Sequence, residues 1–193
     1  MTQSIRQAFL VAFLIVLASC SKESSPTDND TKATAVILPL KVGNQWILQL
    51  TYSDTTRPGI DTMQITKDTL IQNERWFFIQ DSFFGPNQPL LTNRPNGLWA
   101  RNSQSTWLWL KYPASAGDSY PFGGDTMRVI SVATSVVVPG GQFSCYQFRY
   151  LGVDWYLSPN VGFVRFPEFG VTDSTSPQVL RMVKLELLRA VLN

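Results

Sequence analysis

The chain has 193 residues, and its 16 Lys and Arg against 14 Asp and Glu give a formal net charge of +2. It contains no run of basic residues for binding phosphates, so we expect no nucleic-acid partner. The absence of histidine excludes Ser-His-Asp and Cys-His catalysis and removes the commonest zinc ligand. Hydrophobic residues make up 44% of the sequence and aromatic residues 12%, which predicts a packed core rather than disorder.

Residues 1–19 have the order of an export signal. Arg6 precedes the unbroken apolar run AFLVAFLIVLA at residues 8–18. This run is eleven residues long, whereas a helix that crosses a bilayer needs about 20 apolar residues. We therefore interpret residues 1–19 as a cleavable signal peptide rather than a membrane span.

The segment LASC at residues 17–20 resembles the lipobox of bacterial lipoproteins, in which a branched apolar residue and two small residues precede a cysteine. The resemblance implies cleavage before Cys20, a diacylglycerol on its sulfur and an acyl chain on its new amino group. Two acyl chains suffice for stable anchoring, because each buried methylene contributes about 0.8 kcal/mol. We expect this lipid at Cys20 and no other cofactor. The alternative is an ordinary export signal whose border happens to contain a cysteine.

The residues after the cysteine, Ser21, Lys22 and Glu23, resemble the surface-export signal of Bacteroidetes lipoproteins, in which lysine and acidic residues closely follow the cysteine. That pattern usually has a second acidic residue where this chain has Ser24. An aspartate directly after the cysteine would signal retention at the inner membrane, and Ser21 stands there instead. The resemblance implies a place in the outer membrane, with the cell surface favoured over the periplasmic face.

A polar tether is predicted between the anchor and the folded domain, so that the lipidated cysteine and the tether together span residues 20–36. The stretch SKESSPTDNDTKATAV, residues 21–36, has no aromatic residue and cannot bury enough apolar surface to order itself. As a flexible chain it would reach about 20 to 25 Å. Asp28, Asn29 and Asp30 lack the spaced oxygen ligands and the bidentate acid of a calcium loop, so we predict no metal site.

The remaining residues, 37–193, are predicted to form a single all-β domain. In NQWILQLTYS, Trp46, Leu48, Leu50 and Tyr52 recur at every second residue and share one face. With this segment, short runs rich in aromatic and β-branched residues give about ten strands: TMQIT, RWFFIQ, GLWAR, TWLWLKY, MRVISVA, SVVVP, FSCYQFRY, DWYLS and GFVRF. Because no long helical segment separates them, we expect antiparallel strands in a curved sheet, a sandwich or an open barrel.

The C-terminal stretch QVLRMVKLELLRAVLN, residues 178–193, fits two structures. With a period of two, Val183, Leu185 and Leu187 share a face, whereas a helical period aligns Val183, Leu187 and Val191. Leu, Met, Lys, Glu and Arg favour a helix, while the surrounding β pattern favours a closing strand. We predict the strand and keep the helix as the alternative.

Three segments resemble a family of secreted bacterial lipoproteins and domains of unknown function. They are LPLKVGNQW at 38–46, VVVPGGQFSCYQFRY at 136–150 and DWYLSPNVGFVRF at 154–166, which follow the patterns PLKVGNxW, VPxGxFxCY and WYxxxVGxV. Gly140 stands where the family usually has Ala, and Asn160 where it usually has Gly. No catalytic residues are known for the family, so the resemblance implies a fold and a cellular location but no activity.

Three tryptophans are candidate ligand-binding residues. Trp107 and Trp109 lie two apart in TWLWLKY and are predicted to share one strand face, with Leu108 and Leu110 on the other. If the leucines face the core, the two indoles form an outward platform for sugar rings or an apolar ligand, and Trp99 in GLWAR would extend either this platform or a buried arrangement. We favour the alternative, in which the strand is buried on both faces and the tryptophans belong to the core.

No catalytic residues are predicted. Asp154 and Glu168 flank the last predicted hairpin and are the pair we would name for a two-carboxylate glycosidase, but exposed turn acids are the ordinary interpretation. Once Cys20 carries lipid, Cys145 is the remaining thiol, so no disulfide can form within the mature chain. We interpret Cys145 as a small buried apolar residue, because no histidine exists to activate it.

The sequence therefore predicts a membrane-anchored lipoprotein whose domain is a non-catalytic binding or structural module of the cell envelope. Its expected partners, besides the membrane, are a glycan, a lipid or an envelope protein. One alternative is a carrier or chaperone for lipid or another apolar ligand, with a curved sheet around a cavity. The other is a glycan-active hydrolase that uses two carboxylates.

Replacing Cys20 with Ala removes the thiol on which the predicted anchor depends. We expect the Cys20→Ala precursor to remain uncleaved by the lipoprotein peptidase and to incorporate no palmitate, since LASC offers no other thioether site. Metabolic labelling with an alkyne palmitate analogue measures this. A Cys145→Ala variant should label like the wild type, and label on Cys20→Ala would refute the lipoprotein assignment.

Overall fold

Twelve strands form one antiparallel sheet in the computed structural model, which describes residues 35–53, 58–80, 89–173 and 176–193, and their side chains except at 167–182. In chain order the strands are β1 (Gln45–Tyr52), β2 (Gly59–Ile71), β3 (Glu74–Gln80), β4 (Leu90–Arg94), β5 (Gly97–Arg101), β6 (Thr106–Lys111), β7 (Ser119–Phe122), β8 (Asp125–Val138), β9 (Gly141–Tyr150), β10 (Val153–Ser158), β11 (Gly162–Asp173) and β12 (Ser176–Val191). Their order in the sheet is β6-β5-β4-β3-β2-β1-β12-β11-β10-β9-β8-β7. All described residues belong to one compact unit, Thr34–Asn193. None of them forms a helix long and apolar enough to cross a bilayer.

The predicted all-β class is confirmed, although the described residues form twelve strands where about ten were expected. Two short strands were missed. β4 reads LLTNR and lies between Pro89 and Pro95, which indicate a loop in the sequence. β7 contains Pro121, which cannot donate a backbone hydrogen bond and is tolerated because β7 lies at an edge of the sheet.

One long strand was wrongly predicted as two. MRVISVA and SVVVP are consecutive parts of β8. The register between β8 and β9 shifts between Val129 and Ser131 and again between Ser131 and Thr134. Such irregularities bend a strand and interrupt its alternation, which explains why the sequence pattern breaks near residue 133 while the strand continues.

The predicted C-terminal strand is confirmed as β12. It lies between β1 and β11 and pairs with both, so that Leu187 stands opposite Leu48 and Leu185 opposite both Leu50 and Phe166. Backbone pairing on two sides outweighs the helical propensity of the segment. The alternation predicted for β1 is also confirmed, since Trp46, Leu48 and Leu50 are buried.

The sheet curves until its two edge strands meet. β6 and β7 are the edges, yet residues 112–118 alone connect them. A chain of this length spans at most about 25 Å. The hydroxyl of Tyr120 on β7 donates to the carbonyl oxygen of Trp109 at 2.9 Å and accepts from the amide nitrogen of Lys111 at 3.2 Å. The sheet is therefore nearly closed, and one side chain joins its edges.

Aromatic side chains from strands that are not neighbours meet inside this sheet. The ring centroid of Trp109 on β6 lies 6.1 Å from that of Trp155 on β10 and 6.0 Å from that of Phe163 on β11. Phe163 also contacts Trp46 at 6.4 Å and Phe166 at 4.5 Å. Trp46, Trp109 and Phe163 are almost fully buried. The five rings form a packed aromatic core that crosses the interior.

Residues 35–44, which we call the cap segment, cross one end of the sheet. Val36 donates through its backbone nitrogen to Oδ1 of Asn160 and accepts from the backbone nitrogen of Asn160, at 3.1 and 2.8 Å. Across the interior, Nδ2 of Asn93 donates to the carbonyl oxygen of Leu38 at 2.9 Å. Leu38 is fully buried beneath Gly162, where an added Cβ would lie 2.5 Å from Cδ1 of Leu38. The cap segment is thus part of the core at this end.

The Tyr120 hydroxyl should contribute measurably to stability. A Tyr120→Phe change leaves a carbonyl and an amide of β6 without their partner, which we expect to cost about 1–3 kcal/mol. Urea unfolding measures this. The matched control is Tyr150→Phe, because the hydroxyl of Tyr150 also donates to a backbone oxygen, that of Gly123, at 3.0 Å but in an exposed place. Equal losses in the two variants would contradict the role given to Tyr120.

Truncated chains distinguish the contribution of the cap segment to stability from that of the residues before Ala35. Chains that begin at Lys22 and at Ala35 should melt within a few degrees of each other, since a polar tether makes few buried contacts. A chain that begins at Pro39 also loses Ile37 and Leu38, which are at most 1% exposed. Burial of each such side chain is worth about 1.5–3 kcal/mol, so this chain should melt much lower. An equal melting temperature for all three would show that residues 35–38 are dispensable for stability.

Candidate functional site

The three candidate tryptophans occupy different environments. Trp109 is 4% exposed and belongs to the aromatic core. Trp107 is partly buried and packs against the hydrophobic core of the domain. Trp99 is half-buried and faces outward, since Leu98 and Ala100 on either side of it are fully buried. The structure therefore separates Trp99 from the other two, and their role in ligand binding stays a prediction.

A β-bulge in β6 buries Leu110 beside Trp109. Strict alternation predicts Leu110 on the face opposite the tryptophans. The register with β5 pairs Leu98 with Leu110 but Trp99 with Leu108, which leaves Trp109 as the extra residue. Leu110 is consequently fully buried. The predicted alternation is wrong at this residue because a bulge leaves no mark in the local sequence.

Trp99 belongs to a group of charged and aromatic side chains that we call the Trp99 cluster, which comprises Glu74, Trp76, Arg94, Trp99 and Arg101. The guanidinium carbon of Arg94 lies 4.4 Å from the ring centroid of Trp99 and 5.5 Å from that of Trp76. Nε and Nη2 of Arg94 donate to the two carboxylate oxygens of Glu74, both at 2.7 Å. The ion pair and the two rings hold the guanidinium in one position.

Strands β3, β4 and β5 bring this cluster together, and its other four members were not predicted from the sequence. Glu74 and Trp76 lie two apart on β3, so their shared face was visible in the sequence. Arg94 and Trp99 flank the turn between β4 and β5. That hairpin register was the available signal, but β4 was not recognised as a strand.

The electrostatics of the cluster keep Glu74 ionised. The hydrogen bonds from Arg94 hold the pKa of the Glu74 carboxyl below its usual value, against an opposing effect of burial, and the charges of Arg94 and Arg101 add to the lowering. The same hydrogen bonds raise the pKa of Arg94. The cluster thus contains two cations and one anion, an excess of one positive charge.

Trp76 is the buried member of the cluster. Its side chain is 1% exposed, but it lies outside the cluster of buried hydrophobic residues that includes the aromatic core. Its Nε1 is buried and has no hydrogen-bond partner in the part of the chain that the structure describes. The guanidinium carbon of Arg101 lies 5.9 Å from its ring centroid. Trp76 thus contacts both guanidinium groups of the cluster.

A pocket of 370 Å³ lies beside Arg94, at the end of the sheet that the cap segment crosses. It is lined by residues 35–37 of the cap segment, residues 93–95 and 97 around the β4–β5 turn, and residues 112–113 after β6. Its wall is mostly apolar, and Arg94 is the charged residue in it. The amide of Asn93 is already bonded to the carbonyl oxygen of Leu38. We take this pocket, which we call the cap pocket, together with the Trp99 cluster as the candidate functional site.

Three of the described carboxyl groups are poorly suited to act as the general acid of a glycoside hydrolase. Arg149 donates to both carboxylate oxygens of Asp154, at 2.7 and 2.8 Å, and these bonds hold the pKa of Asp154 below its usual value. A catalytic general acid needs a raised pKa instead. The pKa values of Glu74 and Asp118 are also lowered, the latter chiefly by the backbone amide of Ser115. The side chain of Glu168 lies outside the described residues.

Cys145 is fully buried, and burial raises the pKa of its thiol to about 12. The prediction that Cys145 is a small buried residue is confirmed, and the raised pKa disfavours the thiolate form that a nucleophile needs. Among the described residues, no group of three or more His, Cys, Asp or Glu side chains is placed to hold a metal ion. Cys20 and the Asp28–Asp30 stretch lie outside these residues, so the predictions for them stay predictions.

No known family profile matches the sequence, and no curated protein is significantly similar to it. Two solved structures are similar in fold. A Bacteroides fragilis protein described as exported and YmcC-like in fold is 12% identical, with 82% of this chain and 100% of that chain covered and a TM-score of 0.44. A Parabacteroides distasonis protein described as a lipoprotein is also 12% identical, with 81% and 99% covered and a TM-score of 0.42. Similarity at this level assigns neither a family nor an activity to the chain.

The different environments of the tryptophans predict different effects of their removal. Trp109→Ala deletes a buried aromatic side chain and should cost about 3–5 kcal/mol. Trp99→Ala removes a half-buried ring whose contact with Arg94 is worth about 0.5–1 kcal/mol. Urea unfolding of the two variants measures both values. A Trp109→Ala variant as stable as Trp99→Ala would contradict the place of Trp109 in the core.

Proposed function

We propose that the chain is a lipoprotein anchored in the outer membrane through acylated Cys20, with its domain at the cell surface as a non-catalytic binding or structural module. The anchor is supported by the apolar run at 8–18 and by LASC. The surface location is supported by Lys22 and Glu23 after the cysteine.

The observation that carries the non-catalytic role is the state of the carboxyl groups. Within the described residues, each carboxyl group with a shifted pKa is shifted downward, as at Glu74, Asp118 and Asp154. Arg94, Lys111 and Arg149 pair with these three groups. A carboxyl group whose pKa is lowered by a cationic partner is a poor proton donor near neutral pH. This argues against Asp154 as the general acid of a two-carboxylate hydrolase and supports a binding or structural role.

The anchor and the surface location are tested on intact cells. We expect the wild-type chain in the outer-membrane fraction and expect it to be removed by protease added to unbroken cells. The Cys20→Ala variant should leave that fraction. A wild-type chain that resists protease until the cells are opened would contradict surface display, and a wild-type chain in the soluble fraction would contradict the anchor.

The non-catalytic role is tested by a turnover screen against glycans with the wild type and Asp154→Asn side by side. We expect both to give the background rate. Hydrolysis by the wild type that disappears in Asp154→Asn would overturn the proposal and restore the hydrolase.

A further inference from the structure

The cap pocket has the size and the wall of a small-molecule site. Its volume of 370 Å³ lies at the lower end of the range of about 300–1,000 Å³ that ligand pockets cover. Ala35, Val36, Ile37, Pro95, Pro113 and the ring of Tyr112 supply an apolar lining. Such a wall suits a hydrocarbon chain better than a sugar, whose hydroxyl groups need several polar partners.

Arg94 supplies the charged point in this wall. A guanidinium has five N–H donors, and the bonds to Glu74 engage Nε and Nη2. Nη1 has no partner among the described residues, and the side chain is 31% exposed. Because Glu74 and the rings of Trp76 and Trp99 already fix the guanidinium, a ligand would meet a prearranged donor.

The local charge favours an anion at this donor. Glu74 neutralises one of the two cations, Arg94 and Arg101, that act on it. The Trp99 cluster keeps a net positive charge, and Arg94 is the member of the cluster that lines the mostly apolar pocket. A neutral apolar ligand would remove water from Arg94 without replacing the lost hydrogen bonds, which costs free energy. An acidic head group would replace them with a charge-assisted hydrogen bond.

We propose that the cap pocket binds a single-chain anionic amphiphile, with its hydrocarbon chain against the apolar wall and its acidic head group on Nη1 of Arg94. This inference rests on the proposed function, because acylated Cys20 would keep the pocket near a source of such molecules. Ala35 follows Cys20 by fifteen residues, so the covalent chain cannot place the pocket further than about 50 Å from the anchor.

The test uses the full lipidated protein in nanodiscs and a photoreactive fatty acid that carries a diazirine on its chain. We expect cross-links on residues 35–37 and 112–113, located by mass spectrometry of the digested protein. The matching fatty alcohol, which enters the same bilayer but carries no charge, should label these residues at least about fivefold less, since it lacks the charge-assisted bond.

Variants separate the head-group contact from the pocket itself. Arg94→Gln should reduce labelling about tenfold, as expected for loss of a charge-assisted hydrogen bond. Val36→Trp fills the pocket and should also abolish labelling. The matched control is Arg149→Gln, because Arg149 makes an equally short two-bond pair with a carboxylate but does not line the cap pocket. Its labelling should stay within twofold of the wild type.

Three results would overturn the inference. They are labelling spread over the surface without enrichment at the pocket, equal labelling by the acid and the alcohol, and labelling unchanged in Arg94→Gln. Circular dichroism of each variant checks that it is folded, and if Val36→Trp fails to fold, Arg94→Gln and its control still decide the outcome. A protein that does not co-purify with nanodiscs contradicts the anchor, whereas a co-purifying protein without pocket labelling refutes only the amphiphile.

Discussion

The short connection between the two edge strands is the constraint on which the rest of this fold depends. Residues 112–118 join β6 to β7, at opposite ends of the strand order, so the sheet must curve until its edges meet. The hydroxyl of Tyr120 then satisfies both a carbonyl and an amide of β6 that would otherwise lack a strand partner. Closure creates an interior that must be filled and ends that must be covered.

The aromatic core and the cap segment meet these two requirements. Rings from β1, β6, β10 and β11 fill the interior from different directions. The cap segment covers one end through hydrogen bonds to Asn93 on one side and Asn160 on the other. The space left where the cap segment passes the β4–β5 turn is the cap pocket. The cap pocket therefore exists because the cap segment covers this end of the sheet incompletely. Arg94 is the charged residue in its otherwise mostly apolar wall.

Local patterns were sufficient where one strand face is buried and the register is regular. The alternation of Trp46, Leu48 and Leu50 and the burial of Cys145 follow from a period of two. The structure could not be predicted from local sequence patterns where it depends on the pairing register with a strand distant in the sequence. The bulge at Trp109, the continuity of β8 and the existence of β4 depend on the partner strand. The Trp99 cluster combines side chains from three strands, so no single window of the sequence contains it.

The attachment of the cap segment also has a mechanical consequence. Any pull on the chain before Ala35 reaches the fold first at Val36, whose two backbone hydrogen bonds both go to Asn160. Behind this pair, Ile37 and Leu38 are at most 1% exposed, so their withdrawal would open the apolar end of the sheet to water. Resistance to force is thus concentrated in two asparagines, Asn160 and Asn93, and two aliphatic side chains, and β1 is pulled directly only after these contacts break.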